Sequence, residues 1–343
     1  MRLTRFLGIA VAAACAICIG ACNNNSGSTG ATGTSPNNTA KPREREKYVI
    51  GLVAKSQVNP VFQAARVGAE DAARDLSEKY DIDVEVRWQT PAQEDAQQQA
   101  QYVEQLVASG VDGIAISCID ANLLNTALAD AVAKGVTVMT FDSDAPKSGR
   151  MAYYGVDDKA AGAAVMKALA EQIEGNGVVA VLAGNQAATN LQNRVAGVRE
   201  EAAKYPHISI IDVYYHPETA NDAAAKMQQV QNANPQISGW ALVGGWPLYT
   251  DNALDGVYEH AKVVSLDPLP LPLEYLKKGQ VQVLIGQPYY GWGYESVQYI
   301  VEKLHKAQNP PSEMIYADFD VVTSANVDEY SANWNKWTGK SGG

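Results

Sequence analysis

Polar and aromatic side chains follow a series of short apolar runs in this sequence, at the points where buried β-strands would end. Ligands of open α/β sheets bind beyond the carboxyl ends of the strands, so these positions are suited to form one site. Carboxylates and amides can pair with every hydroxyl of a ligand, arginine donates to its lone pairs, and aromatic faces cover its C–H surface. We therefore predict a site for a neutral polyhydroxylated ligand. The candidate residues are Lys55, Asn59, Phe62, Ser117, Asp142, Ser143, Asn190, Arg194, Trp246, Asp267 and Gln287.

Some candidates have a simpler explanation when they are considered alone. Asp142 and Asp267 could be the N-caps of helices that follow them, and Phe62 and Trp246 could be ordinary core residues. The joint occurrence of so many such residues at strand ends favours a binding site over separate structural roles.

No arrangement of residues in the sequence indicates catalysis. The histidines, His207, His216, His260 and His305, lack metal-ligand spacing, and three of them fall near predicted element ends, where solvent contact explains them. Neither a phosphate loop nor a nucleophile elbow is present, and no G-x-G-x-x-G turn follows the first strand. Cys118 follows a buried strand with no histidine nearby, which predicts an inert thiol. We predict a protein that is not an enzyme and has no catalytic residues, cofactor or metal.

The elements that would position the candidate residues alternate between apolar runs and amphipathic stretches. This alternation is typical of a parallel sheet covered by helices on both faces. Thr90, Pro91 and Gln93 have the types and spacing of a capping box, which predicts a helix that begins at Pro91, and Gly110 and Gly135 predict helix C-caps. The predicted strands are 48–54, 82–88, 113–117, 136–141, 151–155, 178–183, 208–214, 239–243, 263–266, 281–285 and one near 315–322.

The N-terminus carries an export signal. Arg2 and Arg5 precede an apolar run at 6–21 that is short for a membrane span. The following junction, IGAC, resembles the bacterial lipobox, in which the cysteine is lipidated and becomes the first residue of the mature chain. We predict a lipoprotein signal peptide at 1–21 and lipidation at Cys22, in preference to an ordinary signal peptide cut elsewhere.

A flexible tether at 22–47 is predicted to follow the signal peptide. From 23 to 40, 15 of 18 residues are Asn, Ser, Gly or Thr, a composition that cannot bury apolar surface. The formal net charge of −11 opposes attraction to anionic lipid, so the acyl chains alone would hold the protein in the periplasm or at the cell surface. The same charge excludes nucleic acid as a partner, since binding to a phosphate backbone needs clustered Lys and Arg.

The body of the chain divides into two similar α/β lobes. The full chain of 343 residues exceeds the usual size of one domain. The first strand–helix series ends near Asp142, and the second begins near Met151. The last segment is longer than the second lobe needs, so part of it should cross back to the first. We predict 48–148 plus about 288–316 for the N-terminal lobe, and 149–287 plus about 317–338 for the C-terminal lobe.

Several segments resemble the ribose-type sugar-binding proteins of bacterial ABC importers. YVIGLVAKSQVNPVF at 48–62 is similar to the family's first strand and its Asn-Pro-aromatic turn. GVDGIAIS, GVTVMTFDSDA and VVSLD then follow in the family's order and spacing, so the likeness covers about 48–322. The resemblance implies the type I periplasmic binding protein fold, with two Rossmann-like lobes, each a parallel sheet flanked by helices, joined by a three-strand hinge.

The resemblance also implies a function and a role for individual residues. The lobes would close over a monosaccharide or small polyol and present it to an ABC permease and its ATPase, with the protein acting as a monomer. Asn59 and Phe62 would contact the ring, Asp142 would bind hydroxyls, and Arg194 would add a contact from the second lobe. Asp267 and Gln287 would complete the hydrogen bonds.

The sequence departs from ribose binders at three positions. Ser143 stands where an Arg is typical, Gly245-Trp246 replaces an Asn, and Val61 replaces an aromatic residue. We therefore expect a ligand other than ribose. Two other functions stay open from the sequence: a ligand sensor for a membrane signalling receptor, and an exported carbohydrate-active enzyme. A sugar-responsive repressor shares the implied fold but needs an N-terminal helix-turn-helix, where this chain has a signal and a tether.

Overall fold

A computed structural model describes residues 46–338. This part of the chain forms two six-stranded sheets with flanking helices, which confirms the predicted α/β class. The predicted signal peptide, Cys22 and nearly all of the predicted tether lie outside the described residues. Between residues 46 and 338, no helix combines the length and the apolar character that crossing a bilayer requires.

The first sheet is parallel throughout. Its strands are β1 (Lys47–Val53), β2 (Asp83–Trp88), β3 (Gly113–Ile116), β4 (Thr137–Phe141), β5 (Ala152–Gly155) and β11 (Met314–Tyr316). They lie in the order β11-β5-β4-β3-β1-β2. The central strand β3 is buried along its whole length, as its uninterrupted apolar sequence requires for a strand covered on both faces.

The second sheet repeats this order strand for strand. Its strands are β6 (Asn176–Ala183), β7 (His207–Tyr215), β8 (Ile237–Leu242), β9 (Lys262–Leu266), β10 (Val283–Gly286) and β12 (Asp320–Val322). They lie in the order β12-β10-β9-β8-β6-β7, and β12 alone pairs antiparallel. Strands β4 and β9 therefore occupy equivalent positions in the two lobes.

Helices cover both sheets and supply the residues that face the strand ends. Asn59 caps the first of them, because its side-chain Oδ1 accepts from the backbone N–H of Val61 and Pro60 occupies the first helical position. The helices are α1 (Pro60–Tyr80), α2 (Ala96–Ala108), α3 (Ala121–Ala133), α4 (Asp158–Gln172), α5 (Thr189–Ala202), α6 (Ala220–Ala233), α7 (Pro270–Lys277), α8 (Tyr289–Lys306) and α9 (Val327–Trp337).

The chain passes between the two sheets three times. It leaves the first sheet after β5, returns after β10 so that α8 packs on α1 and the first sheet, and leaves again between β11 and β12. The single strand expected near 315–322 is therefore wrong. It is two short strands, one in each sheet, separated by the third passage.

Two further expectations differ from the structure. β5 pairs with β4 and so belongs to the first sheet, beyond the expected boundary at 148. No helix separates these two strands, and this break in the strand–helix series resembled the end of a lobe. Helix α2 begins at Ala96 with Asp95 as its N-cap, instead of at Pro91, because the Thr90 hydroxyl accepts from the backbone N–H of Ala54.

In each lobe, one pair of helices packs through glycines. A Cβ on Gly68 of α1 would overlap the carbonyl oxygen of Tyr290 in α8, and a Cβ on Gly293 would overlap that of Ala65. In the second lobe, a Cβ on Gly162 of α4 would overlap the carbonyl oxygen of Arg194 in α5. Backbone atoms cannot move away as a side chain can, so these helix pairs depend on the missing Cβ atoms.

We expect Gly162→Ala to destabilise the protein by about 1–3 kcal/mol, because the overpacking outweighs the gain of about 1 kcal/mol in helix propensity. A thermal melt followed by circular dichroism measures the effect. Ala160→Ser, at an exposed position of the same helix, is the control and should change stability by less than about 0.5 kcal/mol. A melting temperature for Gly162→Ala equal to that of the control would contradict the prediction.

Candidate functional site

Two aspartates occupy equivalent strand ends in the two lobes. Asp142 follows β4 and Asp267 follows β9, and both have positive φ, 56° and 69°. The backbone N–H of each donates to the neighbouring strand, to the carbonyl of Tyr154 and to that of Ile285. Neither aspartate is a helix N-cap, which removes the simpler explanation for these residues. Aspartate tolerates this backbone conformation better than most residues, which helps to explain its occurrence at both turns.

Asp142 connects the two lobes through its carboxylate. The Ser117 hydroxyl donates to Oδ2 at 2.7 Å from within the first lobe, and Asn190 Nδ2 of α5 donates to Oδ1 at 3.0 Å from the second. Two cations also lie close, with Lys55 Nζ 3.8 Å from Oδ2 and Arg194 Nη2 3.5 Å from Oδ1. All five side chains are buried.

Arg194 has a partner for each end of its guanidinium group. Its Nε donates to Asp158 at 2.8 Å, Nη1 donates to the Val243 carbonyl at 3.3 Å, and Nη2 donates to Gln287 Oε1 at 2.8 Å. Burial by itself lowers the pKa of Arg194, but Asp158 and Asp142 outweigh it and raise that pKa. Arg194 is thus a fixed positive charge between two carboxylates.

The carboxylate of Asp267, like that of Asp142, accepts hydrogen bonds at both oxygens. Gln287 Nε2 and the Tyr289 hydroxyl donate to Oδ1 at 2.8 Å and 2.9 Å. The Gly245 backbone N–H and the Tyr249 hydroxyl donate to Oδ2 at 2.9 Å and 3.2 Å. A continuous chain of contacts, here called the cleft network, therefore runs from Asp142 through Arg194 and Gln287 to Asp267.

Lys55 is a second cation of this network, beside Asp142. Its ammonium group donates to Asn190 Oδ1 at 3.3 Å, so it bridges the lobes beside Asp142. Burial lowers the pKa of Lys55, whereas Asp142, Glu218 and Glu94 together outweigh burial and raise it. The lysine is therefore charged at neutral pH.

The remaining candidate residues lie around the cleft network in different surroundings. Asn59 lines a cavity of about 890 Å³ and so does Trp246, whose Nε1 has no hydrogen-bond partner within residues 46–338. Ser143 is buried, and its hydroxyl also has no partner in this part of the chain. Phe62 packs in the first lobe's core, with its ring 6.0 Å from that of Trp292, and it is not among the cavity-lining residues.

Residues from both lobes line this cavity, and several of them were missed by sequence reasoning. Glu94 precedes α2, Glu218 precedes α6, and His216 follows β7, at a place where solvent contact had been expected. His216 is instead buried, with its ring 5.5 Å from that of Trp246. No motif marks these residues, and the equivalence of the two lobes is the signal that could have located the glutamates.

The pKa values of the Glu94 and Asp158 carboxyl groups are raised in the folded protein. Burial and the nearby Glu218 raise the pKa of Glu94 well above its ordinary value. Burial raises the pKa of Asp158 to about 6, although Arg194 beside it lowers that pKa. An acid whose pKa is raised on folding stabilises the fold at low pH, and this stability is lost as the pH rises from the unfolded pKa to the folded one.

We expect Asp158→Asn to remove part of this pH dependence, since the amide can still accept from Arg194. Between about pH 4 and pH 6 the unfolding free energy of the variant should rise relative to wild type, by roughly 3 kcal/mol. Denaturant titrations across this range measure it, with Asp130→Asn, at an exposed position of α3, as the control. Parallel pH profiles for wild type and Asp158→Asn would contradict the prediction.

Residues 46–338 contain no cluster of His, Cys, Asp and Glu that could hold a metal ion. Cys118 is fully buried, and burial raises the pKa of its thiol. A protonated thiol without access is a poor nucleophile, as the sequence predicts.

Comparisons with known proteins match this architecture. Residues 50–308 match the model of the periplasmic binding protein domain family. The chain is 30% identical over 161 residues to a xylitol-binding protein from Mycolicibacterium smegmatis, covering 46% of this chain and 45% of that protein. It is 26% identical over 250 residues to a D-ribose/D-allose-binding protein from Pseudomonas aeruginosa, covering 69% and 76%. The first match thus spans less than half of its relative.

A solved structure extends the likeness to the whole fold. It is a solute-binding protein of an ABC transporter from Burkholderia graminis, in complex with D-arabinose, with 26% identity and a TM-score of 0.77. The match covers 84% of this chain and 99% of that one. The family match over most of the chain and the two parallel-sheet lobes together show that this chain belongs to the periplasmic binding protein domain family, with the type I fold.

Proposed function

We propose that this protein is the substrate-binding lipoprotein of a sugar ABC importer, and that it captures a monosaccharide or small polyol between its lobes. The cleft network carries this proposal. Asp142, Arg194, Gln287 and Asp267 come from both lobes and place carboxylate, guanidinium and amide groups in one buried array. Such an array can pair with every hydroxyl of a sugar, which a sugar needs to offset its loss of water.

The proposed mechanism is capture followed by lobe closure, with no covalent chemistry. The three chain passages between the sheets would form the hinge, and closure would complete the contacts from the second lobe. The closed form would present both lobes to the permease, with the protein acting as a monomer held in the periplasm or at the cell surface by lipid at Cys22. Relatives that are named for xylitol and D-ribose/D-allose binding, and a solute-binding protein solved in complex with D-arabinose, support a small polyhydroxylated ligand.

Isothermal titration calorimetry against a panel of sugars and polyols tests the ligand class. The panel contains D-arabinose, D-ribose, D-allose, D-tagatose, xylitol and myo-inositol. We expect at least one compound to bind with a Kd of about 1 μM, which corresponds to about −8 kcal/mol, and to raise the melting temperature. Absence of heat and of any thermal shift across the panel and its epimers would contradict the proposed function.

The lipid anchor has a separate test. We expect Cys22→Ala to abolish incorporation of labelled palmitate and to release the exported protein from the membrane fraction, because a net negative charge opposes attraction to anionic lipid. Cys118→Ala is the matched control and should leave both properties unchanged. Palmitate labelling that persists in Cys22→Ala would place the lipid elsewhere.

A further inference from the structure

The cavity beside the cleft network carries two carboxylates at equivalent places in the two lobes. Glu94 lies between β2 and α2, Glu218 lies between β7 and α6, and both line the cavity. Glu218 accepts from the backbone N–H of Asn185 at 2.9 Å. No lysine or arginine is among the lining residues, and neither glutamate forms an ion pair within residues 46–338.

The charges behind the cavity do not balance these glutamates. Lys55 and Arg194 are the cations of the cleft network, and three further carboxylates, on Asp142, Asp158 and Asp267, already surround them. These five carboxylates face two cations, and Asp120, the N-cap of α3, adds a sixth carboxylate to the cavity lining. If Glu94 and Asp158 both hold protons, four carboxylates against two cations remain, so the cleft keeps a negative excess that a neutral ligand cannot compensate.

Two buried polar atoms of the cavity lining also lack partners. His216 Nδ1 lies 2.6 Å from the Pro217 carbonyl, which can only accept, so Nδ1 carries the proton and Nε2 is an acceptor. Burial lowers the pKa of His216 and so keeps the ring neutral. Among the described residues, neither Nε2 nor the donor Nε1 of Trp246 has a partner, and these two residues are 6% and 7% exposed. One acceptor beside one donor fits a hydroxyl group, which both donates and accepts.

We propose that the cavity binds a sugar or polyol that carries a protonated amine, with the ammonium group held by Glu94 and Glu218 and a hydroxyl held by His216 and Trp246. This inference rests on the proposed function and names its ligand class more closely. The ammonium forms charge-assisted hydrogen bonds to carboxylates from opposite lobes, so it also stabilises the closed arrangement. Trp246 and Tyr249 line the same cavity, and aromatic rings near a bound cation favour it further.

Matched pairs of ligands test the inference by calorimetry at neutral pH. The pairs are D-galactosamine with D-galactose, D-glucosamine with D-glucose, and glucamine with sorbitol, and the N-acetylated amino sugars are neutral controls. We expect the amine of at least one pair to bind about tenfold or more tightly than its hydroxyl parent. N-acetylation should abolish this preference, because it removes the charge.

Isosteric variants connect the preference to the cavity. Glu218→Gln and Glu94→Gln should each reduce the amine-to-hydroxyl affinity ratio by about tenfold, because the charge-assisted bonds to the ammonium are lost. Glu104→Gln, at an exposed position of α2, is the matched control and should leave the ratio unchanged. Melting temperatures recorded without ligand show whether each variant is folded.

Failure of this inference is distinguishable from failure of the proposed function. A hydroxyl parent that binds as tightly as its amine, or a preference that survives in both glutamine variants, would overturn the amine site and leave sugar binding intact. Affinity for a neutral sugar that rises as the pH falls, and no longer does so in Glu94→Gln, would show that the glutamates share a proton, which also overturns it. Heat with neither class of compound would overturn the proposed function itself.

Discussion

Replacement of Arg194 by methionine is expected to destabilise the protein by about 3–5 kcal/mol and to lower its melting temperature by about 10 °C. The methionine fills similar volume, but it leaves the buried carboxylate of Asp158 without a cation and Asp142 with Lys55 alone. Gln287 also loses the donor to its Oε1. An unpaired buried charge costs far more than the pair contributes, so the loss of one partner dominates the effect.

Two further variants separate charge from packing in this prediction. Arg199→Met makes the same change at an exposed position of the same helix and should change stability by less than about 0.5 kcal/mol. Asp158→Asn combined with Arg194→Met should recover part of the loss, since it removes the unpaired charge of Asp158. If Arg194→Met has the same melting temperature as the Arg199→Met control, Arg194 is not paired as described.

Replacement of Asp142 by asparagine is expected to weaken ligand binding by about 2–4 kcal/mol, or roughly 30- to 1000-fold in Kd. The amide preserves the shape of the side chain but removes the charge that two cations approach and one acceptor oxygen. Calorimetry with the compound that wild type binds most tightly measures the change. Asp130→Asn, at an exposed position of α3, is the control for the substitution itself.

A graded variant shows whether the effect belongs to the site. Ser117→Ala removes one hydroxyl donor to Asp142 and keeps the carboxylate, so we expect a loss of about 1 kcal/mol, or roughly fivefold. The order of affinities should therefore be wild type, then Ser117→Ala, then Asp142→Asn. An Asp142→Asn protein that is folded by its thermal melt and binds the ligand as wild type does would show that the cleft network is not the binding site.

The sequence predicts the centre of the cleft network because parallel strands bring their ends together. Once β4 and β9 are recognised as buried strands, the residues that follow them must lie at the ligand-binding edge of their sheets. Asp142 and Asp267 need no knowledge of tertiary contacts to be selected. Gln287 is selected in the same way after β10, although its contacts with Arg194 and Asp267 are visible only in the structure.

The remainder of the site depends on packing that periodicity does not report. The spacing of Phe62 along its helix is that of a core residue, whereas its position after the first strand is that of a ligand contact. Its packing against the ring of Trp292, which is distant in the chain, is visible only in the structure. His216 follows a strand whose other residues are largely accessible, so its burial against Trp246 has no sequence signal. The sequence also does not indicate that 315–322 divides into β11 and β12. Two three-residue strands and the short passage between them have the length of one ordinary strand.

The three passages between the sheets mean that neither lobe is encoded by one continuous stretch of the gene. A recombination event with a single breakpoint would therefore join one lobe's sheet to an edge strand taken from another protein, and that strand must pair in register to survive. Exchange of a whole lobe between relatives needs several breakpoints, at 155, 286 and 317 or close to them. New specificities in this architecture should arise more readily by point substitution at the strand ends than by shuffling of halves.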